Sequence, residues 1–309
     1  MPTVRGRDFL SICDLDPDEL RHVLDLAGEL KARSRAGDRT APLRGKILAM
    51  VFEKPSLRTH TTFEVGMLQL GGHTVYLGPQ DIQMGTRESP PDVARNLERW
   101  VDGIAARTFA HSTLEALAEH ARIPVINALS DWEHPCQALA ALLTIRERLG
   151  RLKGVRLAWI GDGNNTLRSL VLGGTRLGMS IAMATPKEYR LDAETLARSR
   201  AAAEAFGGAV EVSDDPAAAV READVIYTDV WTSMGQEATA DARRRVFQRY
   251  QVNAALLAGA PSHAVVTHCL PAHRGEEITA EVLDGPRSVA LDEAENRLHT
   301  QKALLAEVL

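Results

Sequence analysis

The chain has 309 residues, a length that suits two domains of ordinary size or one large one. Apolar residues make up 45% and charged residues 25%, which is typical of a globular protein with a sizeable core. The net charge of −5 excludes an overall basic field for nucleic acid or anionic membrane. A small anionic ligand must therefore be held by a local cluster of cations.

The three cysteines, Cys13, Cys136 and Cys269, are too few and too scattered for a disulfide framework. The first residues lack the apolar core of a secretory signal, and no apolar run approaches the roughly 20 residues that cross a bilayer. These features predict a reduced, cytoplasmic protein without a membrane partner.

Short apolar runs rich in β-branched residues alternate with helical patterns. Near-continuous apolar strands separated by helices are typical of parallel sheets covered on both faces. The sequence therefore predicts an α/β fold with two domains of four strands each, divided near residues 130–150. The predicted strands cover residues 46–52, 74–77, 103–106, 124–127, 155–160, 180–184, 223–228 and 263–267.

Several helices carry recognisable ends. Ser89 is a predicted N-cap, followed by prolines in the first turn and by Asp92. Residues 61–70 are predicted to form a helix that ends at Gly71. A final helix is predicted over residues 293–309.

The first group of candidate functional residues follows strand 46–52, where a helix begins. Backbone N–H groups at a helix start favour an anion, Ser56 and Thr59 add hydroxyl donors, and Arg58 adds a planar cationic fork. This pattern predicts a phosphate site. The alternative interpretation is that Ser56 only caps the helix and Arg58 forms a surface ion pair.

Two further segments end near the same predicted sheet edge. His134 and Gln137 share a helix face if Pro135 begins a helix, and together they can bind a carbonyl oxygen and an amide-type NH2 group. Arg107 directly follows strand 103–106, at the end where open α/β sheets bind ligands. A capping role for His134 and a structural role for Arg107 are the alternatives. We predict no metal here, because neither a CxxC pair nor an HExxH helix occurs near Cys136.

The second group lies in the later strands. The turn at 161–166 resembles a dinucleotide fingerprint, but Thr166 stands in place of its third glycine, and the next strand ends without an acid for a ribose. A nicotinamide cofactor is therefore not expected. Asn165 in this turn can offer a donor and an acceptor to a zwitterion.

An acid and a cysteine follow the last two strands. Asp229 suits an ammonium group, and Ser233 suits a carboxylate. A helix cap is the alternative for Asp229. Cys269 is a packing residue, a nucleophile or a group that positions an amine. A hydrolase with a serine or cysteine nucleophile stays conceivable, although no GxSxG elbow occurs.

Six segments of the chain are distinctive, and they are FEKPSLRT at 52–59, SDWEHPCQALA at 130–140, GDGNN at 161–165, DVWTSMG at 229–235, HCLPAHRGEE at 268–277 and ENRLHTQKA at 295–303. In this order they resemble the aspartate/ornithine carbamoyltransferase superfamily, and the similarity covers essentially the whole chain. Within the resemblance, the Ser-Met-Gly element of segment 229–235 and Cys269 indicate the branch that uses ornithine.

The resemblance implies two doubly wound parallel-sheet domains joined by interdomain helices. Residues 1–133 and 292–309 would form a carbamoyl-phosphate-binding domain, and residues 134–291 an ornithine-binding domain. The expected reaction is carbamoyl transfer from carbamoyl phosphate to the δ-amine of ornithine, with neither a cofactor nor a metal. The resemblance also implies a homotrimer or a multiple of trimers.

The resemblance also implies roles for matching residues. The expected catalytic residues are Arg107, His134, Asp229 and Cys269. Carbamoyl phosphate would be bound by Ser56, Leu57, Arg58, Thr59, Gln83, Arg107, His134, Gln137, Leu270 and Arg297, with Gln83 reaching into a neighbouring subunit's site. Ornithine would be bound by Asn165, Asp229, Ser233 and Met234.

Three positions depart from the family's usual pattern. Leu57 replaces a threonine, His60 an arginine and Ala141 an aspartate, so the strength of carbamoyl phosphate binding is the property most affected. The alternatives to the ornithine reaction are a carbamoyltransferase for putrescine, lysine or an N-acylated ornithine, and a non-catalytic paralogue that binds a metabolite.

Overall fold

The computed structural model describes residues 4–38, 40–233 and 235–309. These residues divide into two compact units. Unit 1 consists of the described residues up to Leu143 together with Glu295–Leu309, and unit 2 consists of Thr144–Ala294. The sequence analysis predicts domain boundaries after residues 133 and 291. Both lie earlier in the chain than the divisions between the two units, which follow Leu143 and Ala294.

Unit 1 contains a four-stranded parallel sheet. Its strands are β1 (Ile47–Phe52), β2 (His73–Leu77), β3 (Gly103–Arg107) and β4 (Val125–Leu129). They lie in the order β2-β1-β3-β4, so the direction of winding reverses beside β1. This reversal defines a doubly wound sheet and creates a crevice at the carboxyl ends of β1 and β3.

Unit 2 contains a five-stranded parallel sheet. Its strands are β5 (Arg156–Ile160), β6 (Ser180–Ala184), β7 (Val210–Ser213), β8 (Val225–Thr228) and β9 (Val265–His268). They lie in the order β7-β6-β5-β8-β9, with the reversal beside β5.

The prediction of two doubly wound parallel sheets is confirmed, but the sequence analysis missed β7. This strand has only four residues, none of them fully buried, and it pairs with β6 alone at the sheet edge. Apolar periodicity is weakest in such a strand, because neither face is fully covered.

Helices connect the strands. They are α1 (Pro17–Arg35), α2 (Leu57–Gln69), α3 (Pro79–Ile82), α4 (Pro90–Leu97), α5 (His111–His120), α6 (Pro135–Leu149), α7 (Asn165–Arg176), α8 (Ala193–Phe206), α9 (Pro216–Val220), α10 (Ala240–Phe247), α11 (Ala254–Ala258), α12 (Ala280–Leu283) and α13 (Ala290–Val308). The division between the units falls within α6 and α13. Among the described residues, no helix is both long and apolar enough to cross a membrane.

The helix ends follow the local chemistry. Ser89 caps α4 as predicted, with its hydroxyl oxygen accepting the N–H of Asp92. The helix predicted from residue 61 already begins at Leu57, because Ser56 caps it. The last helix begins at Ala290, before the predicted residue 293.

Each unit has its own apolar core. In unit 1 the core includes Ala49, Val51, Ile104 and Leu114. In unit 2 it includes residues such as Ile160 from β5 and Val266 from β9. Because each sheet is anchored in its own core, the carboxyl ends of its strands are held in fixed register.

Candidate active site

The start of α2 is the candidate anion-binding cradle of unit 1. Ser56 is the N-cap in an extended conformation, and its Oγ accepts the N–H of Thr59 at 3.2 Å. The N–H groups of the first turn have no partners within the helix, and the helix dipole makes this end positive. The Leu57 side chain is 76% exposed and carries no hydrogen-bond donor, so only the backbone N–H of Leu57 can contribute to the cradle. Ser56 therefore caps the helix and also helps to form the cradle.

Arg107 lies beside the cradle because of strand register. It is the register partner of Phe52, the last residue of β1. The side chain is buried, and Nε has no hydrogen-bond partner among the described residues. The pKa of Arg107 is lowered to about 10, mainly by burial and also by the nearby cations Arg297 and Arg58. A buried arginine among other cations is stabilised when an anion binds.

Arg297 in α13 connects two other predicted residues of unit 1. Its guanidinium donates to Gln137 Oε1 and to Thr59 Oγ1, the latter at 2.8 Å. Gln137 lies in the first turn of α6, where its N–H donates to the carbonyl of His134 at 3.0 Å. The prediction that Pro135 begins a helix is confirmed. These contacts bring the cradle, α6 and α13 together.

His134 is buried and electrically neutral in this cluster. Burial lowers the pKa of His134 well below its usual value, and Arg297, Arg107, Lys54 and Arg58 lower it in the same direction. A neutral imidazole carries one N–H donor and one acceptor nitrogen. It can therefore donate to an uncharged carbonyl oxygen without adding a further positive charge.

The two remaining departures from the family pattern have packed environments. The His60 ring stacks on Tyr76 with centroids 4.1 Å apart, and its Nε2 lies 3.3 Å from Glu64 Oε2. Ala141 is 1% exposed in the interior of α6. An aromatic stack and an apolar contact thus occupy positions where the family usually has an arginine and an aspartate.

Gln83 lies at the end of α3 and is exposed. It is the C-cap in a left-handed conformation (φ 53°), and its carbonyl accepts the N–H groups of Thr86 and Arg87. A cavity of about 340 Å³ lies next to it and is lined partly by Glu53 and Phe109, near the end of β1.

In unit 2, Asp229 at the end of β8 is held by the turn after β5. Asn164 Nδ2 donates to Asp229 Oδ2 at 2.7 Å, while Asn164 Oδ1 caps α7 by accepting the N–H groups of Thr166 and Leu167. Asp229 Oδ1 accepts the N–H of Val230 at 2.8 Å. Asp229 does not cap a helix, so this alternative is wrong. Asn165 is the first residue of α7, next to Asn164.

Cys269 completes this group at the end of β9. One ligand-type atom from each of Asp229, His268 and Cys269 lies within 4.8 Å of the others, and all three residues are buried. Both ring nitrogens of His268 already have partners, Glu277 Oε1 at 3.1 Å and the Leu270 N–H at 2.8 Å. Each carboxylate oxygen of Asp229 accepts one hydrogen bond and keeps a further lone pair, so this carboxylate can also accept from a ligand.

The Ser-Met-Gly element follows β8. Ser233 is half-buried, its N–H donates to Gln236 Oε1 at 3.1 Å, and its carbonyl accepts the N–H of Gln236 at 3.0 Å. Met234 lies outside the described residues.

The fold and these two groups define a class of protein. It is an α/β protein with two parallel sheets, each with polar side chains for a small molecule at its strand ends. The anion cradle belongs to unit 1, and the carboxylate–thiol group belongs to unit 2.

Comparisons with known proteins specify the family. Residues 7–147 match the carbamoyl-P binding domain of aspartate/ornithine carbamoyltransferase, and residues 153–308 match its Asp/Orn binding domain. An ornithine carbamoyltransferase from Symbiobacterium thermophilum is 52% identical over 309 residues, which cover 100% of both chains. One from Gloeobacter violaceus is 54% identical over 302 residues, covering 98% of this chain and 95% of the relative.

A solved structure agrees. The ornithine carbamoyltransferase from Pyrococcus furiosus superposes with a TM-score of 0.97 and 48% identity, covering 100% of this chain and 98% of that one. The chain belongs to the aspartate/ornithine carbamoyltransferase family.

The structure adds two residues that the sequence analysis did not assign to a site, Lys54 and Asn164. Lys54 is 8% exposed, and its Nζ lies 4.6 Å from the Phe109 ring centroid. The pKa of Lys54 is lowered to about 8, mainly by burial and also by Arg107, while Asp131 and Glu53 oppose the shift. Both residues lie inside the quoted motifs. Asn164 directly precedes Asn165, and Lys54 lies two residues after the strand end Phe52 and two before Ser56, so these positions were the available signal.

We predict that anion affinity depends on pH through Lys54. This lysine is charged below about pH 8 and neutral above it, so affinity for inorganic phosphate should fall as the pH rises from 7 to 9. In Lys54→Met the affinity should be lower at pH 7, and its additional fall up to pH 9 should be absent. Calorimetric titration with phosphate at each pH gives the affinity of both proteins. The protonation of phosphate itself affects both proteins equally, so it cancels in the difference between their affinities. Parallel pH curves for the two proteins would contradict the prediction.

Proposed function

We propose that this chain transfers the carbamoyl group of carbamoyl phosphate to the δ-amine of L-ornithine, giving L-citrulline and phosphate. The observation that carries the proposal is the buried group of Arg107, His134 and Arg297 beside the start of α2, in a chain whose relatives are named ornithine carbamoyltransferase. The reaction is part of arginine metabolism.

The phosphate end of carbamoyl phosphate fits the cradle. Arg58 and the first N–H groups of α2, including that of Leu57, match phosphate oxygens in charge and donor direction. Ser56 and Thr59 supply hydroxyl donors. When the C–O bond to phosphate breaks, these groups stabilise the departing dianion.

The carbamoyl end fits the donors and the acceptor beside the cradle. Arg107, Thr59 and His134 donate to the carbonyl oxygen, which becomes an oxyanion when the amine attacks. Gln137 Oε1 already accepts from Arg297, and its second lone pair can accept the carbamoyl NH2. Arg297 thereby orients the amide that distinguishes a carbamoyl group from other acyl groups.

The amino-acid substrate is assigned to unit 2. Asp229 and Asn165 would bind the α-amino group, and Ser233 and Met234 the α-carboxylate. Cys269 and Leu270 would lie at the reacting δ-amine, and Leu270 would also contact the carbamoyl group. A free alkylamine has a pKa near 10.4, so the bound amine must lose a proton before it attacks. The low exposure of Cys269, which is assigned to the reacting amine, favours this loss by desolvation.

Catalysis would depend on positioning, because the amine nitrogen must reach the carbamoyl carbon while both substrates are bound. Holding two reactants in this way can lower a barrier by about 7–11 kcal/mol. The new C–N bond forms, the nitrogen releases its proton, and the C–O bond to phosphate breaks. We expect neither a metal nor a covalent enzyme intermediate.

Incubation with carbamoyl phosphate and a panel of amines tests the substrate. We predict ureido product with L-ornithine and at least a hundredfold less with putrescine, L-lysine or N-acetyl-L-ornithine. Putrescine lacks the α-carboxylate, N-acetyl-L-ornithine lacks the free α-amine, and the longer side chain of L-lysine places its terminal amine one methylene farther from the α-carbon. Colorimetric measurement of the ureido product gives the rates. Turnover of another amine but not ornithine would overturn the assignment, and absence of any product would indicate a non-catalytic paralogue.

We predict that Arg58→Ala raises the KM for carbamoyl phosphate about ten- to a hundredfold. The reason is the loss of a charge-assisted hydrogen bond worth about 1.5–3 kcal/mol. The exposed Arg95, which pairs with Asp92 on α4, provides the matched control Arg95→Ala. Unchanged kinetics of Arg58→Ala at low carbamoyl phosphate would exclude its role.

We further propose a cytoplasmic homotrimer, or a multiple of trimers, in which Gln83 completes a neighbouring subunit's site. If sites are shared, mixing Gln83→Ala with His134→Ala under conditions that exchange subunits should restore activity, because some sites then receive both native residues. Light scattering should give a mass that is a multiple of three chains. A mixture that stays as inactive as its components would exclude shared sites.

A further inference from the structure

Residues 268–273 run from the last residue of β9 into the loop that follows it, and a single carboxylate oxygen contacts both ends of this segment. Glu277 Oε1 lies 3.1 Å from His268 Nε2 and accepts the N–H of His273 at 2.6 Å. His268 and Glu277 are both 0% exposed. One oxygen thus joins the first and last residues of the loop that carries Cys269 and Leu270.

These contacts determine the tautomer of His268. The Leu270 N–H can only donate, and it lies 2.8 Å from His268 Nδ1, so Nδ1 must be the acceptor nitrogen. A neutral imidazole then carries its proton on Nε2, which donates to Glu277. The hydrogen bonds of the two ring nitrogens are therefore coupled. Because Glu277 accepts the proton on Nε2, Nδ1 stays unprotonated and can accept the N–H of Leu270.

Leu270 needs this support because of its backbone conformation. Its φ of 57° lies in the left-handed region, which residues other than glycine, asparagine and aspartate rarely adopt. The hydrogen bond from its N–H to His268 holds it there. Cys269 lies between these two residues, so the same bond fixes where its thiol lies relative to Asp229.

We propose that Glu277 is a positioning residue for the amine substrate. By holding His268 in the Nε2–H tautomer, it fixes Leu270 and Cys269 where the reacting amine binds. The inference rests on the proposed function, which assigns those two residues to the reaction centre. Glu277 itself contacts neither substrate.

Glu277→Met and Glu277→Gln separate this role from general packing. Methionine keeps the approximate volume but removes the acceptor, which leaves His268 Nε2–H buried without a partner and allows the proton to move to Nδ1. We expect kcat/KM for ornithine to fall about tenfold in Glu277→Met, while the dissociation constant for inorganic phosphate stays within about twofold of wild type. Glu277→Gln keeps an acceptor oxygen and should stay within about threefold on both measures.

The neighbouring Glu276 provides the matched control. Its carboxylate binds Arg244 at 3.0 Å and not the loop ends. Glu276→Met should therefore leave both constants unchanged. Equal losses in Glu276→Met and Glu277→Met, or in Glu277→Gln and Glu277→Met, would overturn the proposal.

A double-mutant cycle tests the path through His268. Asparagine at position 268 keeps an acceptor oxygen near the position of Nδ1 and no longer depends on Glu277. Adding Glu277→Met to His268→Asn should therefore lower kcat/KM for ornithine by less than about threefold. A further tenfold loss would show that Glu277 acts independently of the ring.

The tautomer can be measured directly in the wild-type enzyme. Long-range ¹H–¹⁵N spectra of histidine-labelled protein, assigned with His268→Asn, should show a protonated Nε2 and an unprotonated Nδ1. A proton on Nδ1 would overturn the inference even if every Glu277 variant failed to fold. Failure of wild type to carbamoylate ornithine would instead overturn the proposed function, so the two failures are distinguishable.

Discussion

Parallel strand pairing is the constraint on which both groups of functional residues depend. In a parallel sheet the carboxyl ends of neighbouring strands lie at one edge, and the register decides which residues meet there. In unit 1 the pairing of Phe52 with Arg107 places an arginine beside the start of α2. In unit 2, Thr228 pairs with both Ile160 and His268, which brings three loops to one place. A shift of one residue in either sheet would separate these side chains.

The cations of unit 1 are an unfavourable arrangement in the absence of an anion. Lys54, Arg107 and Arg297 are all buried, and the pKa of Lys54 and of Arg107 is lowered both by burial and by neighbouring positive charge. Their positions are held by the strand ends and by the bonds of Arg297 to Thr59 and Gln137. An anion bound among these side chains would relieve this repulsion.

In unit 2, directional hydrogen bonds hold the candidate substrate-binding groups in position. Asn164 orients Asp229 through its amide nitrogen and caps α7 through its amide oxygen, so one side chain couples the acid to a helix. Glu277 and His268 couple the far end of the loop to Leu270 in a similar way. In both cases a polar side chain with at least two hydrogen-bond partners fixes the orientation of a neighbour that is assigned to the substrate.

The sequence by itself determined the parallel α/β class and eight of the nine strands in the described part of the chain, and it offered a cap at Ser56 as one alternative, because apolar periodicity and capping are local properties. It missed β7, whose half-exposed residues leave little periodicity, and it gave no role to Lys54, Asn164 or Glu277. Only the tertiary structure decided those roles, because they depend on burial and on partners distant in the sequence. The lowered pKa of Lys54 comes from desolvation and from Arg107, and the orientation of Asp229 comes from an amide 65 residues earlier in the chain.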